Sequence, residues 1–283
     1  MQTFKLGLIG YPLGHSLSPK IHTAALKACG LNGDYSLFPI HPDDKQGLKD
    51  LLDRVRSGEI HGLNVTIPHK QNVIEFMDEL TSTSQAIGAV NTIYLRDSKL
   101  IGDNTDAPGF LSDLKKNFDF SSIIHHPSVL VLGAGGSARA VVYALLNDNW
   151  NVTIAARRTE QAHDLAQSFT DHQLHIKNLT DLQPSTLRQA QDSAFDLIVN
   201  TTPLGMAPNV DQSPLPESLS LSLNTFIYDL VYNPRETKLV RDARSQGLQA
   251  TTGLGMLIEQ AALAFETWTG VNADRIAMQM AVA

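Results

Sequence analysis

The chain reads as a two-domain α/β protein, and three observations carry that reading. Its 283 residues suit two domains of roughly 100 to 200 residues each. Short apolar runs of strand character alternate with longer segments of helical period, as parallel α/β architecture requires. The apolar strand VLVL (129–132) also passes through a glycine turn, GAGGSA (133–138), directly into a helix.

Taken in order, FKLGLIG (4–10) reads as a first strand, IHTAALKACG as a helix ending at Gly30, DYSLFPI as a strand and KQGLKDLLDRVRSG as a helix closed at Gly58. HGLNVTI reads as a third strand, a helical stretch follows from Gln71, and AVNTIYLRDSKLIGDNTD reads as a hairpin around Arg96 to Lys99. These elements fill residues 1–106. The helix APGFLSDLKKNF leads to a His-His-Pro segment, after which come the strand, glycine turn and helix of SVLVLGAGGSARAVVYALLNDN. NVTIAAR, LHIKNL, FDLIVNTT, TFIYDLVY and LQATTG supply further strands, with a Pro-rich loop at 203–216. The expected domains are therefore 1–106 and 107–253, with C-terminal helices over 254–283 packing back onto the first.

Composition excludes several classes. Hydrophobic residues are 42% and charged residues 18%, with 19 Gly and 13 Pro, which is ordinary for a globular chain that buries a core. A count of 22 Lys plus Arg against 29 Asp plus Glu gives a net charge of -7, so no nucleic-acid partner is expected, though a local basic pocket stays open. The single cysteine, Cys29, forms no intrachain disulfide and reads as a buried spectator. The N-terminal segment reaches Gly and Pro too early for a signal peptide, and no apolar run has the length of a membrane span. The expectation is a soluble cytoplasmic protein without a membrane partner, for which a homodimer stays open.

The glycine turn departs from G-x-G-x-x-G, because Ala138 stands at the third glycine. Its setting between a buried strand and a helix is nevertheless that of a dinucleotide site, where Gly133, Ala134, Gly135, Gly136 and Ser137 bring backbone and a helix N-terminus to a pyrophosphate. An NAD site would place a carboxylate at the end of the next strand. Here that strand ends in Ala156, Arg157 and Arg158, and two guanidinium groups suit a 2′-phosphate. The second domain is thus expected to be a Rossmann-type NADP domain with a parallel sheet.

The first domain carries unusual polar residues at strand ends. Ser16 and Ser18 in SLSPKIH share one side of an extended segment, where Ser18 is either the N-cap of the helix begun by Pro19 or, with Ser16, part of a carboxylate site. In NVTIPHK (64–70) alternation sends Asn64 and Thr66 one way and Val65 and Ile67 the other, with Lys70 following the strand. Asn91 lies in an apolar strand, and Asp106 precedes a helix that it could merely cap. Each residue alone has an ordinary structural explanation. Together they fall where α/β sheets hold ligands.

The motifs SLSPKIH, NVTIPHK, GAVNT, GDNTDAPG, GAGGSARA, NTTPLGM, DLVYNP and GMLIEQA resemble, in order and spacing over essentially the whole chain, those of the shikimate dehydrogenase family. That resemblance implies reversible NADP-linked reduction of 3-dehydroshikimate to shikimate by a substrate domain and a Rossmann domain. It implies that Ser16 and Ser18 bind the substrate carboxylate, that Thr66, Lys70, Asn91, Asp106 and Gln260 contact ring hydroxyls, and that Lys70 and Asp106 are the catalytic pair. Asn64 joins the substrate residues by its place in NVTIPHK. Tyr232 matches a tyrosine near the substrate, and Gly253 and the backbone of Leu230 match cofactor contacts. One departure concerns the phosphate pocket: the family's Asn-Arg-Thr is Ala156, Arg157, Arg158 here, and a further Arg is replaced by Gln161.

Competing classes lack their residues. The ten histidines show no H-E-x-x-H or Cys/His spacing, so no metal is expected. Neither a nucleophile elbow nor a P-loop is present. A non-catalytic NADP-sensing module would have no use for Lys70 and Asp106 together, and quinate dehydrogenase is the alternative within the same class.

Overall fold

The structure, a computed structural model, describes residues 2–120, 126–169, 174–182, 195–216 and 221–283. His125 of the His-His-Pro segment lies outside the described residues. The chain divides into two compact units, residues 1–109 with 258–283 and residues 110–257. Both divisions fall inside helices, Asp106–Asn117 and Leu254–Thr269.

The first unit opens with β1 (Thr3–Gly10), α1 (Ser18–Ala28), β2 (Asn32–Pro39), α2 (Lys45–Arg56) and β3 (Gly62–Val65). Next come β4 (Glu79–Leu80), α3 (Ser82–Ile87), β5 (Thr92–Arg96), β6 (Lys99–Asp103) and the start of α4 (Asp106–Asn117). Among the described residues they form a six-stranded sheet of order β2-β1-β3-β5-β6-β4. β1 runs parallel to β2 and β3, and β5 runs antiparallel to β3 and β6. Leu48, Leu51, Leu52 and Val55 recur at helical spacing on α2 and pack with Leu63, Ile93 and Leu100 of the sheet. The β5–β6 hairpin turns through Asp97 and Ser98, both at positive φ (51° and 63°), the two-residue geometry that matches strand twist.

Three local expectations are corrected. Ser18 does not cap α1, because the helix starts at Ser18 and its N-cap, Leu17, offers no side-chain bond. The stretch after Gln71 is not one helix but turns, a 3₁₀ segment at Ile74–Phe76 and β4. Asp78 accepts Leu100 N–H at 2.7 Å and also binds Arg56, and β4 then pairs with β6, so the chain is drawn to the sheet edge. Ile67, assigned by alternation to the side of Val65, is 67% exposed because β3 ends at Val65.

The C-terminal part of this unit is helical. α8 (Leu254–Thr269) seats Trp268 on the sheet, its indole N–H donating to the Ile93 carbonyl at 3.1 Å. α9 (Arg275–Met280) is tied to α8 by Arg275, which binds Glu259 at 3.0 Å and Glu266 at 2.7 Å.

The second unit contains β7 (Ser128–Leu132), α5 (Gly136–Asn147), β8 (Asn151–Ala156), α6 (Thr159–Gln167) and β9 (His175–Asn178). β10 (Leu197–Asn200), β11 (Phe226–Asp229), α7 (Lys238–Ser245) and β12 (Ala250–Thr252) complete its described elements. The strands pair only in parallel, in the order β12-β11-β10-β7-β8-β9. Val129, Leu130, Val131 and Leu132 are fully buried, as a central parallel strand covered on both faces requires. The order reverses between β7 and β10, which leaves a crevice beyond the strand ends where such sheets take ligands. Among the described residues no helix is long and apolar enough to cross a membrane.

Candidate active site

In the first unit the ends of β3, β5 and β6 bring one lysine and one carboxylate together. Lys70 Nζ donates to Asp106 Oδ2 at 2.6 Å, with side chains 11% and 7% exposed. Asp106 Oδ1 accepts from Asn91 Nδ2 at 2.9 Å. Asn91 is itself held: Oδ1 accepts Thr105 N–H at 2.7 Å and the Thr92 hydroxyl at 2.9 Å, and Nδ2 also reaches Gln260 Oε1 at 3.3 Å. Asp106 is not an N-cap, because Asn104 Oδ1 accepts the N–H groups of Asp106 (3.0 Å) and Ala107 (3.3 Å). The carboxylate at the first position of α4 is therefore left to Lys70 and Asn91.

A second strand of polar contacts runs toward the serines. Asn64 Nδ2 donates to the Asn91 carbonyl at 3.2 Å, and Asn64 Oδ1 accepts the Tyr35 hydroxyl at 2.8 Å. Burial pushes the Tyr35 phenol upward, with Ser18 nearby acting the other way. Ser16 Oγ accepts Ser18 N–H at 3.2 Å, which sets the two serines side by side at the start of α1. His22, fully buried, stacks on Tyr35 at 4.3 Å with both ring nitrogens unpartnered. Burial lowers its pKa to about 3; Asn64 nearby acts the other way without closing a hydrogen bond of normal length. Thr66 lies just beyond β3 with its methyl against Gly10.

In the second unit, the turn after β7 has the features a dinucleotide needs. Gly133 has φ +109°, and a Cβ there would stand 2.6 Å from Thr201 Oγ1, so a side chain is excluded twice over. Gly135 caps α5 without a side-chain bond and faces open space, which leaves helix N–H groups for an anion. Ala138, at the third glycine position, is fully buried, so the methyl is accommodated in the helix–sheet contact. At the end of β8, Ala156 is buried while Arg157 and Arg158 are exposed, with no acidic partner among the described residues. Uncommitted guanidinium groups beside a free helix N-terminus fit a dinucleotide bearing an extra phosphate.

Known proteins match the same regions. The family described as the shikimate dehydrogenase substrate binding domain matches residues 8–93, that of shikimate / quinate 5-dehydrogenase matches 114–236, and the shikimate 5′-dehydrogenase C-terminal domain matches 253–283. The shikimate dehydrogenase (NADP(+)) of Methanocaldococcus jannaschii is 40% identical over 281 residues, covering 99% of this chain and 96% of its own. The chain belongs to the shikimate dehydrogenase family. Among solved structures, shikimate 5-dehydrogenase of Thermus thermophilus with NADP(H) and shikimate superposes with a TM-score of 0.83 at 36% identity, covering 98% of each chain. Quinate dehydrogenase of Corynebacterium glutamicum with NAD reaches 0.87 at 30% identity, over 99% of this chain and 98% of its own.

In this shikimate dehydrogenase family member the candidate residues come from distant parts of the chain. The first unit gathers Asn64, Lys70, Asn91, Asp106 and Gln260 into one hydrogen-bonded group and joins Tyr35 to it through Asn64. The second unit sets Gly133 to Ser137 and Ala156 to Arg158 after neighbouring strands. There a Cβ at Gly253 would lie 2.2 Å from the Leu230 carbonyl, and Tyr232 is partly buried, its phenol pushed upward by burial. Sequence reasoning missed Tyr35, His22, Thr105 and Asn104. A tyrosine in a mixed polar and apolar strand carries no mark of a hydrogen bond made 29 positions away.

Proposed function

We propose that this chain catalyses reversible NADP-linked reduction of 3-dehydroshikimate to shikimate, a step toward chorismate and the aromatic amino acids. The observation that carries the reading is the buried contact between Lys70 and Asp106, in a member of this family with two arginines directly after the second β-strand of the dinucleotide fold. Residues 1–109 with 258–283 serve as the substrate and catalytic domain, and residues 110–257 as the NADP domain.

NADP, when bound, supplies or accepts a hydride; the chain must hold both molecules and manage one proton. Ser16 and Ser18 bind the substrate carboxylate by uncharged hydrogen bonds. Thr66, Asn91 and Gln260 address the ring hydroxyls, and Asn64 joins them in binding the substrate. Lys70 spends one N–H on Asp106 and keeps its others for the substrate oxygen. In reduction Lys70 gives a proton to the developing alkoxide, and in oxidation it takes that proton back. Asp106 orients the ammonium group and accepts a ring hydroxyl. General acid–base help of this kind is worth about 10²- to 10⁴-fold.

In the cofactor domain, the N-terminus of α5 with Gly133, Ala134, Gly135, Gly136 and Ser137 receives the pyrophosphate. Arg157 and Arg158, next to Ala156, would hold the 2′-phosphate, and Gln161 leaves that pair without a third arginine. The Leu230 backbone and Gly253 line the remainder, and Tyr232 serves the substrate. A cytoplasmic location goes with a chain of one cysteine, and sedimentation of the purified protein distinguishes a monomer from a homodimer.

A second reading, quinate or dual quinate/shikimate oxidation, is favoured by the quinate dehydrogenase among the structural relatives. Absorbance at the reduced-nicotinamide band with shikimate and quinate, each with NADP and NAD, tests both. Absence of shikimate-dependent NADP reduction would overturn the primary reading.

A further inference from the structure

Two motifs contain buried polar residues with no assigned part in the reaction, Asn200 in NTTPLGM (200–206) and Asp229 in DLVYNP (229–234). They leave adjacent parallel strands, β10 and β11, whose last residues Asn200 and Asp229 are register partners and fully buried. Asp229 Oδ1 accepts from Asn200 Nδ2 at 2.8 Å and from Val231 N–H at 3.1 Å, and Oδ2 accepts the Thr237 hydroxyl at 2.6 Å. Asn200 in turn shapes the first loop. Its Oδ1 accepts Thr202 N–H at 2.9 Å and the Thr202 hydroxyl at 2.7 Å, while Nδ2 also reaches the Leu204 carbonyl at 3.3 Å. Thr237 caps α7 through Val240 N–H at 3.3 Å. One carboxylate thus ties together two loops and a helix start.

The position of these loops follows from the cofactor placement. With the pyrophosphate at the turn after β7 and the 2′-phosphate at the end of β8, the nicotinamide half must extend the other way, over the ends of β10 and β11. The close approaches of Gly133 to Thr201 and of Gly253 to Leu230 set both loops on that same edge.

We propose that Asp229 is a positioning residue that sets the shape of the two loops receiving the nicotinamide half of NADP, through its joint hold on Asn200, Val231 and Thr237. The proposal rests on the cofactor reading given above. Asp229 acts through its neighbours. Burial keeps its carboxyl up at about 6 in spite of three hydrogen bonds, so the uncharged amide of Asp229→Asn, which can donate to Thr237 and accept from the other two, is the fitting conservative substitute.

Full-length wild type, Asp229→Ala, Asp229→Asn and Thr237→Val are compared for binding of adenosine 2′,5′-bisphosphate, which lacks the nicotinamide half, and of NADP, together with kcat and KM. Asp229→Ala is expected to lower kcat/KM for NADP about tenfold or more while leaving bisphosphate affinity and the KM for shikimate within about twofold; Asp229→Asn returns to within about threefold of wild type. Folded Thr237→Val shows the same split more weakly and decides the matter if Asp229→Ala does not fold. Unchanged kinetics in the folded variants, or equal losses of bisphosphate and NADP binding, overturn the proposal. Failure of the wild type to bind the bisphosphate instead removes the cofactor reading, and this proposal with it.

Discussion

Asn91 donates its side-chain amide to Asp106 Oδ1 at 2.9 Å, and so leaves Oδ2 of the same carboxylate to Lys70 at 2.6 Å. The carboxylate is held from two directions, which fixes where the ammonium group stands. Positioning of this kind matters because proton transfer needs the donor within hydrogen-bond reach of the substrate oxygen.

Lys70→Ala removes the proposed proton donor and leaves the serines and the cofactor turn untouched. Steady-state kinetics on the folded variant are expected to show a kcat loss of about 10²-fold or more with little change in KM, and Asp106→Asn a similar loss. Near wild-type turnover in Lys70→Ala would remove the lysine from the mechanism.

Asn91→Ala strips one partner from Asp106 and leaves the Thr105 N–H without its acceptor. A buried group so orphaned costs about 1 to 3 kcal/mol, so urea denaturation is expected to show a destabilisation of that size. A kcat loss of about tenfold accompanies it, since the carboxylate is then free to turn. Unaltered stability would show that the network has rearranged around the gap.

Replacing Arg157 and Arg158 by neutral residues is expected to raise KM for NADP far more than for NAD, because only NADP carries the 2′-phosphate. One charge-assisted contact is worth about 1.5 to 3 kcal/mol, so the effect is about tenfold or larger. Equal effects on the two cofactors would mark the arginines as surface charges.

His22 makes stability depend on pH. The unfolded ring protonates below 6.5, but the buried one only near 3, so the unfolded chain gains protons first and the native state loses stability as pH falls through that window. The span corresponds to several kcal/mol at about 1.4 kcal/mol per pH unit. Asp229 works in the opposite sense. Its carboxyl is held at about 6 against 3.8 when unfolded, so its contribution is lost as pH rises from 3.8 to about 6. The clean observable is therefore the difference in unfolding free energy between wild type and His22→Phe, which keeps the stack on Tyr35. That difference is expected to move against wild type steadily below pH 6.5, and a flat difference would contradict a neutral buried histidine.

Shikimate is expected to be preferred over quinate by about tenfold or more in kcat/KM. Quinate adds a hydroxyl at the carbon bearing the carboxylate, which becomes tetrahedral and aims the carboxylate differently at Ser16 and Ser18. Discrimination against an added hydroxyl can be modest, about 10²-fold. Comparable kcat/KM for quinate at matched NADP concentration would sink this prediction and leave the catalytic pair untouched.

The amino-acid sequence by itself determined the alternation of strands and helices, the glycine turn and the arginines after β8, because each depends on side-chain period or turn chemistry within a few residues. It also carried the motifs that place Lys70 and Asp106 in one family's order. Tertiary structure alone decided which of those polar groups meet. Asn91 reaches Asp106 across 15 positions and Gln260 across 169, contacts set by the hairpin register and by the packing of α8. The same holds for Ser18 and Asp106, each readable as a helix cap until Leu17 and Asn104 proved to hold those places. The stretch after Gln71 has helical apolar spacing, yet the bonds of Asp78 to Leu100 and Arg56 draw it to a sheet edge. Local propensity cannot register a hydrogen-bond partner supplied by a distant strand, and burial of His22 between Tyr35 and Trp268 exists only once α1, β2 and α8 have packed.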